Sequence, residues 1–176
     1  MKNLNTYIHE KLTIVHNQYS CVPQTKEELR KIIVDRLKDD PDADFNDIDV
    51  SNITDMSELF WELDPHNIDI SKWDVSNVEN MRLMFYRCIK FNSDLSLWDV
   101  SNVKDMEGMF FKCKNFNSDL NGWDVSNVKN MKFMFYNCKN FNSDLSNWDV
   151  SKSKNMWGMF VDCDRMKELP KWFNKK

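Results

Sequence analysis

Nine aspartates recur in two files of fixed spacing. Asp49, Asp74, Asp99, Asp124 and Asp149 form one file, and Asp69, Asp94, Asp119 and Asp144 form the other. Carboxylates repeated in this way suit three kinds of chemistry. They could ligate divalent cations, or serve as the paired acids of a hydrolase. They could also accept backbone N–H groups nearby, as Asx-turns within Asp-Val-Ser-Asn. Stacked ~5 Å apart, they repel by about 0.8 kcal/mol per pair even in bulk water, so something must offset the charge. The local turn role fits best, because Gly-Gly-x-Gly-x-Asp repeats and EF-hand loops are both missing.

Other chemistry-bearing residues are few. His9, His16 and His66 stand at no recognisable spacing from a nucleophile or metal partner. There is no Gly-rich phosphate loop, no Gly-x-Ser-x-Gly and no His-Glu-x-x-His. Cys88, Cys113, Cys138 and Cys163 occur once per repeat with no Cys-x-x-Cys pair, and Cys21 is alone. The four read as small apolar residues in a stacked column rather than as zinc ligands. The expectation is a protein that is not an enzyme and uses no cofactor or metal.

The element that must position all of these is a 25-residue repeat. Trp-Asp-Val-Ser starts at Trp73, Trp98, Trp123 and Trp148, with a weaker copy from Ile48. Self-similarity at this period marks a solenoid, in which each coil lends its neighbour an apolar wall. Met106, Met109, Phe110 and Cys113 lie at i, i+3, i+4 and i+7 after Asp105, which predicts a short capped helix. Asn80, Asn130, Asn155 and Asp55 open the same pattern in the other copies. The sparse apolar residues of Phe116–Val125 predict an extended strand, stacked in parallel with its counterparts. The predicted fold is thus an α/β repeat solenoid, leucine-rich-repeat-like. It has a parallel β-ladder on one side, short helices on the other and an N-terminal helical cap.

Residues 1–47 form the N-terminal strand and helix cap on this reading, 48–163 five coils and 164–176 the C-terminal cap. Thr25-Lys26-Glu27-Glu28 is a capping box opening a helix with Leu29, Ile32, Ile33 and Leu37 on one side. Leu12–Val22 reads as an edge strand, and Leu169, Pro170, Trp172 and Phe173 as the closure of the last coil. Ser153 interrupts the column of Ile53, Val78, Val103 and Val128 where the stack ends. His66 stands where later coils have phenylalanine, a capping variation.

These residues resemble the BspA-like leucine-rich-repeat family, with its pattern Trp-Asp-Val-Ser-Asn-Val-x-x-Met-x-x-Met-Phe-x-x-Cys-x-x-Phe-Asn-x-Asp-Leu-Ser. Trp123 to Ser146 reproduces nearly every position, and the match runs from about Asp44 to Cys163. The resemblance implies a non-catalytic scaffold that binds other proteins. Many such relatives are bacterial surface proteins that bind host proteins or other cells, and adhesion is the alternative reading.

The N-terminus has no signal-peptide core, and no apolar run approaches the ~20 residues of a membrane span. These features point to the cytoplasm, and the first coil's departures from the repeat consensus read as a cap that keeps the protein a monomer. Its narrowest reading is a phage- or mobile-element-encoded inhibitor docking on a bacterial defence protein. Formal net charge is -4, so direct nucleic-acid binding is not expected. The charge is nevertheless polarised. Lys38 to Asp64 holds ten acids and one base, while Lys152 to Lys176 holds seven bases and three acids. The acidic cluster Asp39, Asp40, Asp42, Asp44 and Asp47 is one candidate partner contact. The other is the aromatic column Trp61, Tyr86, Phe111 and Tyr136, continued by Val161, with the variable Leu83, Phe133 and Trp157 beside it. Two readings of that column stand: packing between neighbouring coils, or an exposed stripe that anchors a protein interface.

Overall fold

The computed structural model describes residues 19–66 and 68–173. One helix, α1 (Lys26–Asp39), precedes the repeats. The Glu28 N–H donates to Thr25 Oγ1 at 3.2 Å, and the Gln24 N–H donates to Glu28 Oε2 at 2.8 Å. Leu29 and Ile33 are buried completely, so α1 lays its apolar side on the first coil.

The repeats stack as 25-residue coils, but the predicted secondary structure is wrong. Among the described residues there is no strand and no helix other than α1; the parallel ladder is reduced to isolated bridges such as Asp55–Asn80, Asn80–Asp105 and Asp105–Asn130. The α/β assignment, with its β-ladder and short helices, is therefore corrected to a stack of coils built from turns.

The reason lies in where the amides point. In the segment predicted as helix, the N–H groups of Met81, Leu83, Phe85 and Arg87 donate to the carbonyls of Asp105, Glu107, Met109 and Phe111 in the next coil, at 2.8–2.9 Å. The intervening Met84, Tyr86 and Cys88 donate three residues back, to Met81, Leu83 and Phe85. A helix would send the amides beyond its first turn to carbonyls four residues back, not to the next coil. Leu83 and Arg87 also have φ of 56° and 61°, in the left-handed region that a right-handed helix excludes. Successive turns of this kind bury the same i, i+3, i+4, i+7 set, so the spacing was right for burial and wrong for backbone.

The segment predicted as strand fails for a different reason. Here side chains replace the backbone ladder. Leu95 N–H donates to Ser118 Oγ, Asn117 N–H to Asn92 Oδ1 and Trp123 Nε1–H to Leu95 O, all at 2.8–2.9 Å. Ring spacings show why. Trp61–Tyr86, Tyr86–Phe111 and Phe111–Tyr136 stack at 4.5–4.9 Å. Phe85–Phe110 and Phe110–Phe135 stand at 5.5 and 5.6 Å, Phe91–Phe116 and Phe116–Phe141 at 5.8 and 5.9 Å, and Trp73–Trp98 at 6.4 Å. Each coil is thus a wedge. Backbone hydrogen bonds cross where coils are close, and Asn, Ser and Trp side chains span the gap where they are too far apart. The Trp61–Tyr136 ladder marks the side where the rings stand closest, here the inner edge, and the tryptophans the side where they stand furthest apart, the outer edge.

The two ends are closed differently. At the start, the Arg30 guanidinium of α1 donates to the carbonyls of Glu58 and Leu59, at 2.8 and 2.5 Å, and reaches Trp61 O at 3.5 Å. The predicted edge strand is only a single bridge, Cys21–Ile48; Leu12–Gln18, like His9 and His16, lies outside the described residues. At the far end, Trp172 extends the tryptophan file. Its indole lies 6.3 Å from Trp148 and donates to Leu145 O at 2.7 Å. Phe173 packs edge-on against Phe160. Ser153, in the column otherwise held by Val or Ile, donates its hydroxyl back to Val128 O at 2.7 Å.

Candidate partner-binding face

The inner edge carries the most distinctive surface. Trp61, Tyr86, Phe111 and Tyr136 are half-buried, face to face. The ring faces thus pack between coils, while part of each side chain reaches solvent. The ladder ends on exposed apolar groups, with Trp157 at 69% and Val161 at 46% exposure. Phe133 joins the two parts. It meets Phe111, Tyr136 and Trp157 edge-on, at 5.9, 5.5 and 4.7 Å. Lys132 Nζ lies over both Phe133 and Trp157, at 5.2 and 5.9 Å, and Lys112 Nζ over Phe111 at 5.4 Å.

Charged rows flank the aromatics. Arg82 pairs with Glu58 at 3.0 Å and Arg87 with Glu62 at 2.8 Å, each joining one coil to the previous one. Leu83 does not belong to the surface. It is 9% exposed, and a Cβ built on Gly108 would sit 2.6 Å from its Cδ2. Leu83 and Phe133 each occupy the space that a glycine one coil later leaves open. This column, Glu58, Leu83, Gly108, Phe133 and Gly158, also has positive φ throughout. Its alternation of bulk and glycine was visible in the sequence, but only a known backbone turns it into a packing rule.

The acidic candidates sit apart, around the turn that follows α1. Asp39, Asp40, Asp42 and Asp44 are exposed, while Asp47 is held by Arg36. The Arg36 hydrogen bond, helped by Ser20, keeps the Asp47 carboxyl below its usual range against a partial burial cost. His66 lies nearby, with Lys90 Nζ 2.7 Å from its Nε2 and the Asp42 carboxylate 3.9 Å from its Nδ1.

The aspartate files resolve into turns. Asp49, Asp74, Asp99, Asp124 and Asp149 each accept the N–H of the serine two residues on, at 2.9–3.0 Å. Asp69, Asp94, Asp119 and Asp144 do the same for Ser71, Ser96, Asn121 and Ser146. Hydrogen bonds from the Ser96 backbone and hydroxyl lower the Asp94 carboxyl, and those from the Ser101 hydroxyl and backbone lower Asp99. Among the described residues, no group of three or more His, Cys, Asp or Glu is placed to hold a metal ion. Each repeat cysteine is buried and donates its thiol to a carbonyl of the previous coil. Cys88, Cys113, Cys138 and Cys163 reach Phe60, Phe85, Phe110 and Phe135 at 2.8–3.1 Å. Burial pushes the Cys88, Cys113 and Cys138 thiols far up, and Cys163 to about 12.

Wedge-shaped coils, a bonded aromatic ladder inside and capped turns outside define a stacked-coil repeat protein. The chain belongs to the family described as "Mycoplasma protein of unknown function, DUF285", whose model matches residues 32–123 and 97–176. No curated protein and no solved structure matches it. No helix among the described residues is long and apolar enough to cross a membrane.

Proposed function

We propose that this protein is a non-catalytic scaffold that grips another protein along its inner edge. The supporting observation is Trp157, left 69% exposed at the end of a half-buried aromatic ladder and packed edge-on against Phe133. Large aromatic side chains flanked by cations are the groups that anchor protein interfaces. The likeness of the repeats to the BspA-like pattern supports the same reading. Arg30 on the carbonyl edge of the first coil supports a monomer, since it opposes end-to-end stacking of a second copy there. Its free cysteines suit the cytoplasm, where thiols stay reduced.

A narrower version is an inhibitor whose acidic end blocks a positively charged channel in its target. It draws on Asp39, Asp40 and Asp44, exposed in one turn. The test for the scaffold is affinity capture from the native cell with the wild type and with Tyr136→Ser/Trp157→Ser. Loss of a specific captured protein, with an unchanged circular dichroism spectrum, is the expected result. Equal capture by both refutes the inner-edge assignment. Reversing Asp39, Asp40 and Asp44 to Lys tests the inhibitor version, which needs capture to fail.

A further inference from the structure

Along the inner-edge segments 56–62, 81–87, 106–112 and 131–137, alternate amides donate to carbonyls of the next coil, while just before them Glu79, Lys104, Lys129 and Lys154 donate back to the preceding coil. A row of carbonyls is therefore left at the first coil and a row of N–H groups at the last. Arg30 meets the carbonyl row. The amide row is Met156, Gly158, Phe160 and Asp162, and it has no acceptor among the described residues. The preceding coil shows what such a row takes. Met131, Phe133, Phe135 and Asn137 donate to the carbonyls of alternate residues, Asn155, Trp157, Met159 and Val161, at 2.7–3.0 Å.

We infer that this open end docks an extended acidic segment of a partner protein. An extended chain offers carbonyls along one edge at every second residue, the register the amides require. Aligned donors without acceptors give the end a positive partial charge, as at the start of a helix. Lys152, Lys154, Arg165 and Lys171 are exposed on the segments that form this end, and Lys154 lines the cavity beside the row. That cavity holds about 290 Å³ between Met156, Trp157, Gly158 and Phe173, room for an apolar side chain alternating with acids. The partner is thus a strand of alternating apolar and acidic residues. Trp157 lines both this cavity and the exposed end of the aromatic ladder, but the amide row is a backbone feature with its own readout, so the two readings are tested independently.

The test is amide NMR on the full chain with the probe acetyl-(Val-Glu)4-amide. In the free chain the amides of Met156, Gly158, Phe160 and Asp162 should exchange at least tenfold faster than those of Met131, Phe133, Phe135 and Asn137. Saturating peptide should move their resonances and slow their exchange at least tenfold. Lys154→Glu should weaken binding by about tenfold or more without lowering the melting temperature, and acetyl-(Val-Lys)4-amide should not bind. Four results overturn the inference: protection of the row in the free chain, shifts confined to other residues, tighter binding of an oligothymidylate, or a dimer that protects the same amides.

Discussion

Phe133 lies over Gly158: a Cβ built on that glycine would come 2.6 Å from two atoms of the ring. Gly158 also has φ +69°, and Gly108 stands in the same relation to Leu83 with φ +58°. Gly158→Ala and Gly108→Ala should each cost about 2 kcal/mol or more, from left-handed strain plus overpacking. In a Leu83→Ala background the Gly108→Ala penalty should fall by about 1 kcal/mol, as the clash disappears and the strain remains. Gly122→Ala, where no atom lies within 4 Å, should be close to neutral. Urea melts of the five variants check this, and equal effects at all three glycines would rule out the packing rule.

Arg30 contacts three carbonyls of the first coil. Arg30→Ala should destabilise the chain by about 2–3 kcal/mol, the cost of leaving a part-buried acceptor row without its charged donor. It should also open the one end of the stack that complements the free amide row. Sedimentation velocity should then show concentration-dependent end-to-end association, absent from the wild type. A variant that is both monomeric and fully stable would show that Arg30 does not cap the stack.

Burial raises the repeat thiols, so the folded state holds protons that the unfolded state releases earlier. This stabilisation is complete below the ordinary thiol value of 9.0 and is lost as pH climbs, for Cys163 up to about 12. Stability measured by denaturant should therefore fall steadily above pH 9, and Cys113→Val should flatten the decline. At neutral pH a thiol reagent should modify half-buried Cys21 first and the four repeat cysteines only on unfolding.

The Asp94, Asp99 and Asp144 carboxyls are lowered by hydrogen bonds from serine, so the sign reverses. Their contribution is present above the ordinary value of 3.8 and is lost as pH falls through the depressed folded values. Asp94→Asn/Asp99→Asn should weaken this acid transition. Calcium titration by calorimetry should give no heat and no change in melting temperature for either protein. A calcium-dependent rise in melting temperature would contradict the turn role.

Much of this architecture could be read from the repeat. The period of 25, the tryptophan file, the methionine–phenylalanine–cysteine core and the Thr25 capping box are all consequences of residue type and spacing. The backbone could not be read this way. Met106, Met109, Phe110 and Cys113 are buried by linked turns as they would be by a helix, because periodicity reports burial and not hydrogen-bond partners. The spacing also gave no notice that Asn92 and Ser118 would bond across a gap too wide for a β-ladder. Of the candidate site, the aromatic column was visible as a column, but Leu83 was misassigned to the surface. Which residue of a variable position faces out depends on φ, which the sequence reveals only indirectly through Gly108 and Gly158.

The claim that the inner edge is the binding face is tested most directly by photo-crosslinking in the native cell. A photoreactive phenylalanine replaces Trp157 on the ladder in one protein and Leu97, 87% exposed beside the outer tryptophan file, in another. The account predicts a discrete adduct with one protein from position 157 and none from position 97. An adduct from position 97 alone, or no adduct from position 157, would contradict it.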